Sequence, residues 1–82
     1  MAEVTPATLL ELLARSLVDE PDQVQVTEVP EGERELVLEL EVAEDDLGRV
    51  IGRGGRVANA LRSVVRASAT QSDQRILVDI LD

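Results

Sequence analysis

The sequence contains no cysteine, no histidine and no aromatic residue, and all eight of its basic residues are arginine. Without cysteine, neither a disulfide nor a thiolate metal site can form, and we expect an intracellular, cytoplasmic protein. The missing residue types include most nucleophiles and the general bases that act near neutral pH. Acid pairs such as Asp45 and Asp46 remain, and they are better explained as favourable charge at a helix N-terminus. We therefore expect a protein that is not an enzyme, and no metal or cofactor is indicated.

Long apolar runs are also missing. No apolar segment approaches membrane-spanning length, and the N-terminus lacks the pattern of a signal peptide. The apolar share of 44% is supplied almost entirely by Leu, Val, Ile and Ala, which is ample for a globular fold. A chain of 82 residues can bury one compact core, so residues 1–82 are expected to form a single domain.

The charge is distributed very unevenly. The net charge of -9 argues at first sight against a nucleic-acid partner, because binding to phosphate depends on neutralising cations. The segment from Leu47 to Ser72, however, contains five arginines and no acidic residue, whereas the other three arginines share the rest of the chain with all 17 acids. The sequence predicts an acidic body with one basic segment. The alternative is that these arginines are only the solvated face of a helix.

The first half of the chain predicts one helix and two strands. The helix begins at Thr5-Pro6, an N-cap followed by proline, and runs to about Asp19. Alternation of apolar and polar residues predicts strands over Val24–Val29 and Glu35–Val42. A turn signal, Pro30-Glu31-Gly32, lies between them. We expect an antiparallel hairpin with helices covering its apolar face.

The second half predicts two helices and a last strand. A short helix begins at the acids that precede Leu47 and ends near Ile51. Glycines interrupt it, and a longer helix with an apolar stripe follows from Arg56 to Thr70. A polar connection over 71–74 leads to a strand around Ile76–Ile80. The order α-β-β-α-α-β indicates an α+β fold, an α/β sandwich in which a three-stranded sheet packs against three helices.

The most informative segment is the glycine loop between the two later helices, which reads Val50-Ile51-Gly52-Arg53-Gly54-Gly55-Arg56. A Walker A loop needs a lysine, which this chain lacks. A dinucleotide-binding fingerprint needs a preceding strand and Gly or Ala at its sixth position, where Val57 stands. Neither motif fits.

The loop nevertheless has the chemistry of an anion clamp. Glycines let the backbone approach a phosphate and expose amide groups at the start of a helix, where the dipole favours an anion. Arg53 adds a forked cation at the tip, and Arg49 and Arg56 flank it. The alternative is that the glycines only cap a helix and form a tight turn, and bind nothing.

A Gly-x-x-Gly loop between two helices in this element order resembles the KH domain in its type II arrangement. The run from Val50 to Arg56 and the short length resemble, within it, the KhpA-like family of small bacterial KH proteins. The resemblance covers essentially the whole chain, although Gly54 stands where many relatives have a polar or charged residue.

The resemblance implies that the loop grips single-stranded RNA, clamping about four nucleotides of backbone. The absence of aromatic platforms argues against an RRM or OB-type reader and is compatible with an aliphatic KH groove. By resemblance, the groove would be walled by the helix ending at Ile51, the helix after Gly55 and the strand ending near Val42. The expected RNA-binding residues are Arg49, Val50, Ile51, Gly52, Arg53, Gly54, Gly55 and Arg56.

The resemblance also implies a post-transcriptional regulator or RNA chaperone that acts as a dimer or with a larger KH protein of the KhpB (Jag) type. The alternative function is a protein interaction module whose main role is this pairing. Adjacent Val64 and Val65 cannot point the same way on a helix. One is expected in the core, and the other, with Leu61 or Ala58, could form a pairing surface. A broad buried stripe is the competing explanation.

Overall fold

The computed structural model describes residues 4–69 and 73–82. It confirms the predicted order of helices and strands. The six elements are α1 (Pro6–Leu17), β1 (Gln25–Glu31), β2 (Glu35–Glu41), α2 (Leu47–Ile51), α3 (Arg56–Ser68) and β3 (Arg75–Ile80). Short 3-10 turns occupy Pro21–Gln23, Glu44–Asp46 and Arg53–Gly55. In the parts of the chain described above, no helix is long and apolar enough to cross a membrane.

Helix α1 begins where its capping residues predict. The Thr5 hydroxyl accepts a hydrogen bond from the backbone N–H of Thr8 at 3.1 Å, and Pro6 occupies the first turn. The helix ends at Leu17, two residues before the predicted end, because the backbone of Val18 is already extended. Helix α3 ends at Ser68 with Ala69 as its C-cap, and Thr70, the predicted last residue of this helix, lies outside the described residues.

The three strands form one mixed sheet in the order β1-β2-β3. Strands β1 and β2 form the predicted antiparallel hairpin, whereas β2 and β3 run parallel, with Leu38 opposite Val78. The hairpin differs from the prediction in one detail, since β1 continues through Pro30 to Glu31 before the turn at Gly32. An edge strand tolerates proline because it pairs on one side only.

The core lies between one face of this sheet and the helices. Strand β2 contributes Leu36, Leu38 and Leu40, all of which are buried. The helices add buried side chains that pack in the same cluster, namely Leu10, Ala14, Val50, Leu61 and Val65. One continuous apolar cluster therefore holds α2 and α3, the two helices on either side of the glycine loop, against the sheet.

Candidate nucleic-acid interface

The loop between α2 and α3 depends on three glycines with left-handed backbone angles. Gly52 ends α2 with φ +74°, and its N–H donates to Gly48 O at 2.8 Å. Gly54 and Gly55 follow with φ +65° and +79°, and Gly55 is the N-cap of α3. Residues other than glycine rarely adopt these angles. The glycines therefore let the chain pass from α2 to α3 within four residues.

The amides at the start of α3 are not capped by a side chain, because the N-cap residue Gly55 has none. Helix α3 is 13 residues long and carries Arg56 in its first turn. The N–H groups of Gly55 and Arg56 already donate to the carbonyl oxygens of Gly52 and Arg53, and the positive end of the helix dipole favours an anion at this position. The local backbone therefore has the properties expected of a phosphate-binding loop.

The three arginines in or beside the loop differ in their ion pairs. Arg53 and Arg56 are exposed, and neither forms an ion pair with any described residue. Arg49, in contrast, places Nη2 at 2.9 Å from Asp19 Oδ2 and Nε at 3.4 Å from Asp46 Oδ1. Its charge is already partly neutralised, so Arg53 and Arg56 dominate the cationic character of the loop.

The two aliphatic residues ahead of the loop have different environments. Val50 is completely buried and belongs to the core, whereas Ile51 is 36% exposed. The contact of Val50 with RNA stays a prediction, and because its side chain is buried in the core, such a contact would involve its backbone. Ile51 remains available as an aliphatic surface next to Gly52.

Asp46 is a structural residue that the sequence interpretation missed. It is 1% exposed, and its two carboxylate oxygens accept hydrogen bonds from the backbone N–H groups of Asp19 at 3.1 Å and Glu20 at 3.0 Å. Together with the contact to Arg49, these bonds fasten the connection after α1 to the beginning of α2. The carboxylate therefore fixes the helix that carries the loop, rather than serving only as charge at a helix end.

The strand nearest to the basic side of α3 is β3, not β2. The interpretation placed a groove wall on the strand ending near Val42, but β2 is the central strand of the sheet. Arg62 on α3 instead donates from Nε to the carbonyl oxygen of Val78 in β3 at 3.3 Å. The surface beside the loop therefore continues from α3 to the outer strand β3.

An apolar depression lies between α3 and α1, and Arg56 and Ser16 contribute to its lining. Val65 is fully buried and Val64 is 46% exposed, so only one of the two adjacent valines faces the core. Leu61 and Ala58, the expected neighbours of the exposed valine, are buried. The apolar residues that line the depression are Leu13, Leu17, Val57, Ala60, Leu61 and Val64.

Comparison with known proteins agrees with this architecture. The family model of the KhpA/KhpB KH domain matches residues 7–80. A protein of Clostridium acetobutylicum named RNA-binding protein KhpA is 52% identical over 73 residues, which are 89% of this chain and 96% of that protein. Proteins of the same name from Halalkalibacterium halodurans and Aquifex aeolicus are 52% and 45% identical, over 92% and 90% of this chain and 97% and 92% of their own lengths. No solved structure gives a significant match. The chain belongs to the KhpA/KhpB KH-domain family.

Proposed function

We propose that this chain is a single KH domain that binds single-stranded RNA in the cytoplasm, with the loop from Gly52 to Gly55 gripping the sugar-phosphate backbone. The relatives named RNA-binding protein KhpA support an RNA ligand. The observation that carries the role of the loop is its combination of a helix N-terminus without a side-chain cap and two arginines that have no acidic partner among the described residues. Backbone N–H groups and guanidinium groups are the donors that phosphate oxygens accept.

The charge distribution supports a binding mode restricted to one face. RNA would be attracted by the segment from Leu47 to Ser72 and repelled by the acidic remainder of the chain. A loop of this kind clamps about four nucleotides. Few phosphates are therefore neutralised, and the salt dependence of binding should be shallow, with a slope of roughly 0.7 per phosphate contact.

The test is the affinity for a short single-stranded RNA at two salt concentrations, compared between the native protein and the double variant Arg53→Asp, Gly54→Asp. A Cβ at Gly54 meets nothing within 4 Å, so the variant is expected to fold, and circular dichroism checks this. The hairpin turn supplies a matched control, Gly32→Asp with Arg34→Asp, because Gly32 also has a positive φ and open space around it.

We expect the loop variant to lose binding and the hairpin control to keep it. Equal affinity of the native protein and the loop variant would contradict the loop as the clamp. Equal weakening by both variants would show that only net charge matters.

A second function, pairing with another KH domain, is supported by the apolar depression between α1 and α3. Val64 is 46% exposed and Leu17 is 39% exposed, although both are large and apolar. We propose that a second copy of the chain, or a larger KH protein of the KhpB type, covers this surface. Pairing would place two weak RNA sites on one particle and raise their joint affinity, which would suit a post-transcriptional regulator or RNA chaperone.

Sedimentation equilibrium at micromolar concentration tests the homodimer. Val64→Glu should shift the native protein toward monomer, whereas Ser63→Glu, at an exposed neighbouring position, adds the same charge without touching the depression. A native protein that is strictly monomeric would contradict the homodimer and leave only the larger KH protein as a partner to test.

A further inference from the structure

A continuous line of polar groups leads from the glycine loop to the edge of the sheet. A Cβ at Gly55 would lie 4.0 Å from Asn59 Nδ2, so the Asn59 side chain borders the loop. Asn59 Oδ1 accepts a hydrogen bond from Arg62 Nη1 at 3.3 Å, and Arg62 Nε donates to Val78 O at 3.3 Å. A strand of RNA held by the loop could therefore place a base along this line.

Val78 lies on an open edge of the sheet. In the described sheet, β3 pairs with β2 alone. The N–H groups of Arg75 and Leu81 donate to the carbonyl oxygens of Arg34 and Leu40, on the side of β2. Because successive residues of a strand alternate in direction, Val78 turns its N–H and C=O groups the other way, toward Arg62. The backbone of Val78 therefore borders the surface beside α3.

Arg62 engages both hydrogen-bond acceptors that the structure shows at this place. One is Val78 O and the other is Asn59 Oδ1. Three of the five guanidinium N–H groups and both N–H groups of the Asn59 amide remain, whereas each of the two oxygens keeps only one lone pair, so most of the remaining groups are donors. Arg62 is half-buried, so its guanidinium is held against the strand edge rather than extended into solvent. A base with adjacent acceptors therefore fits this edge better than a base that must donate.

We propose that Arg62 determines base specificity and gives the RNA site a preference for guanine over adenine. The proposal rests on the RNA binding proposed above. Guanine presents N7 and O6 as adjacent acceptors, which an arginine can bind with two parallel N–H groups. Adenine presents N7 beside the N6 amino donor and is typically bound by an asparagine or glutamine that offers an acceptor and a donor together. Asn59 could play that part, but its oxygen is already bonded to Arg62.

The test measures the affinities of two RNAs, each a nine-nucleotide oligouridine with one central guanine or one central adenine. The proteins are the native chain, Arg62→Met and Arg62→Lys, with Arg66→Met as the matched control. Arg66 lies one turn further along α3, is exposed, and has no ion pair with a described residue. Circular dichroism checks the fold of each variant. Arg62→Lys keeps the charge and loses the planar fork.

We expect the native protein to bind the guanine RNA on the order of tenfold more tightly than the adenine RNA. Arg62→Met should bind the two RNAs equally, Arg62→Lys should keep at most part of the preference, and Arg66→Met should weaken both and keep the preference. Equal native affinities for the two RNAs would overturn the specificity of Arg62 and leave RNA binding standing. A preference that survives in both folded Arg62 variants would also overturn it. Failure of the native protein to bind either RNA would remove the proposed function and this inference together.

Discussion

The side chain of Val57 fills the space that a side chain on Gly52 would need. A Cβ at Gly52 would lie 2.5 Å from Val57 Cγ2 and 2.9 Å from Val57 N. Gly52 also has φ +74°, which disfavours any side chain on conformational grounds. The first glycine of the loop is therefore fixed by two independent constraints, and Val57 locks the beginning of α3 against the end of α2.

Gly52→Ala should destabilise the fold by roughly 3 kcal/mol, because it adds a steric clash with Val57 to the cost of a positive φ. Gly54→Ala is the matched comparison, since Gly54 has φ +65° but nothing within 4 Å of its Cβ position. It should cost only about 1 kcal/mol. Urea denaturation of the two variants measures both values. Equal losses would mean that Val57 moves aside without cost.

Asp46→Asn should destabilise the protein although it preserves the size of the side chain. The carboxylate accepts one backbone N–H at each oxygen, from Asp19 and Glu20, and an amide can accept at only one of its two positions. The other N–H loses its partner, which should cost on the order of 1–3 kcal/mol. Asp45→Asn, at an exposed position, should change the free energy of unfolding by less than about 0.5 kcal/mol. Similar denaturation curves for the two variants would count against the structural role of Asp46.

The sequence predicts the fold well where a local pattern has one explanation. Alternation at Leu36, Leu38 and Leu40 predicts a strand with one buried face, and glycines at 52, 54 and 55 predict a tight loop. The sequence does not show which of Asp45 and Asp46 is buried, because both residues have the same propensity for a helix N-terminus. Only the hydrogen bonds of Asp46 to the backbone after α1 distinguish them. The order of strands in the sheet is likewise set by long-range packing, so the neighbour of α3 could not be predicted.

The sequence also does not show which of Val64 and Val65 faces the core, because this depends on tertiary packing. Their different burial leads to a prediction on stability. Val65→Ala should destabilise the monomer by about 2 kcal/mol, because it removes two fully buried methyl groups from the core. Val64→Ala should leave the monomer within about 0.5 kcal/mol of the native protein. Thermal unfolding at low protein concentration measures both. A larger loss for Val64→Ala that grows with protein concentration would instead indicate that Val64 is covered in a dimer.

The candidate RNA-binding arginines differ in their partners, and this difference predicts unequal effects on affinity. Arg49 is bonded to Asp19 and Asp46, so Arg49→Gln should weaken RNA binding only slightly. Arg56→Gln removes a cation without an acidic partner among the described residues, and it should reduce the slope of log affinity against log salt by about 0.7. Fluorescence anisotropy over a salt series measures both slopes.

Asp19→Asn supplies the converse variant. It releases Arg49 from one acidic partner, so it should tighten RNA binding if Arg49 is within reach of the RNA strand. An unchanged affinity in Asp19→Asn, together with no loss in Arg49→Gln, would assign Arg49 to the support of α2 and remove it from the RNA site.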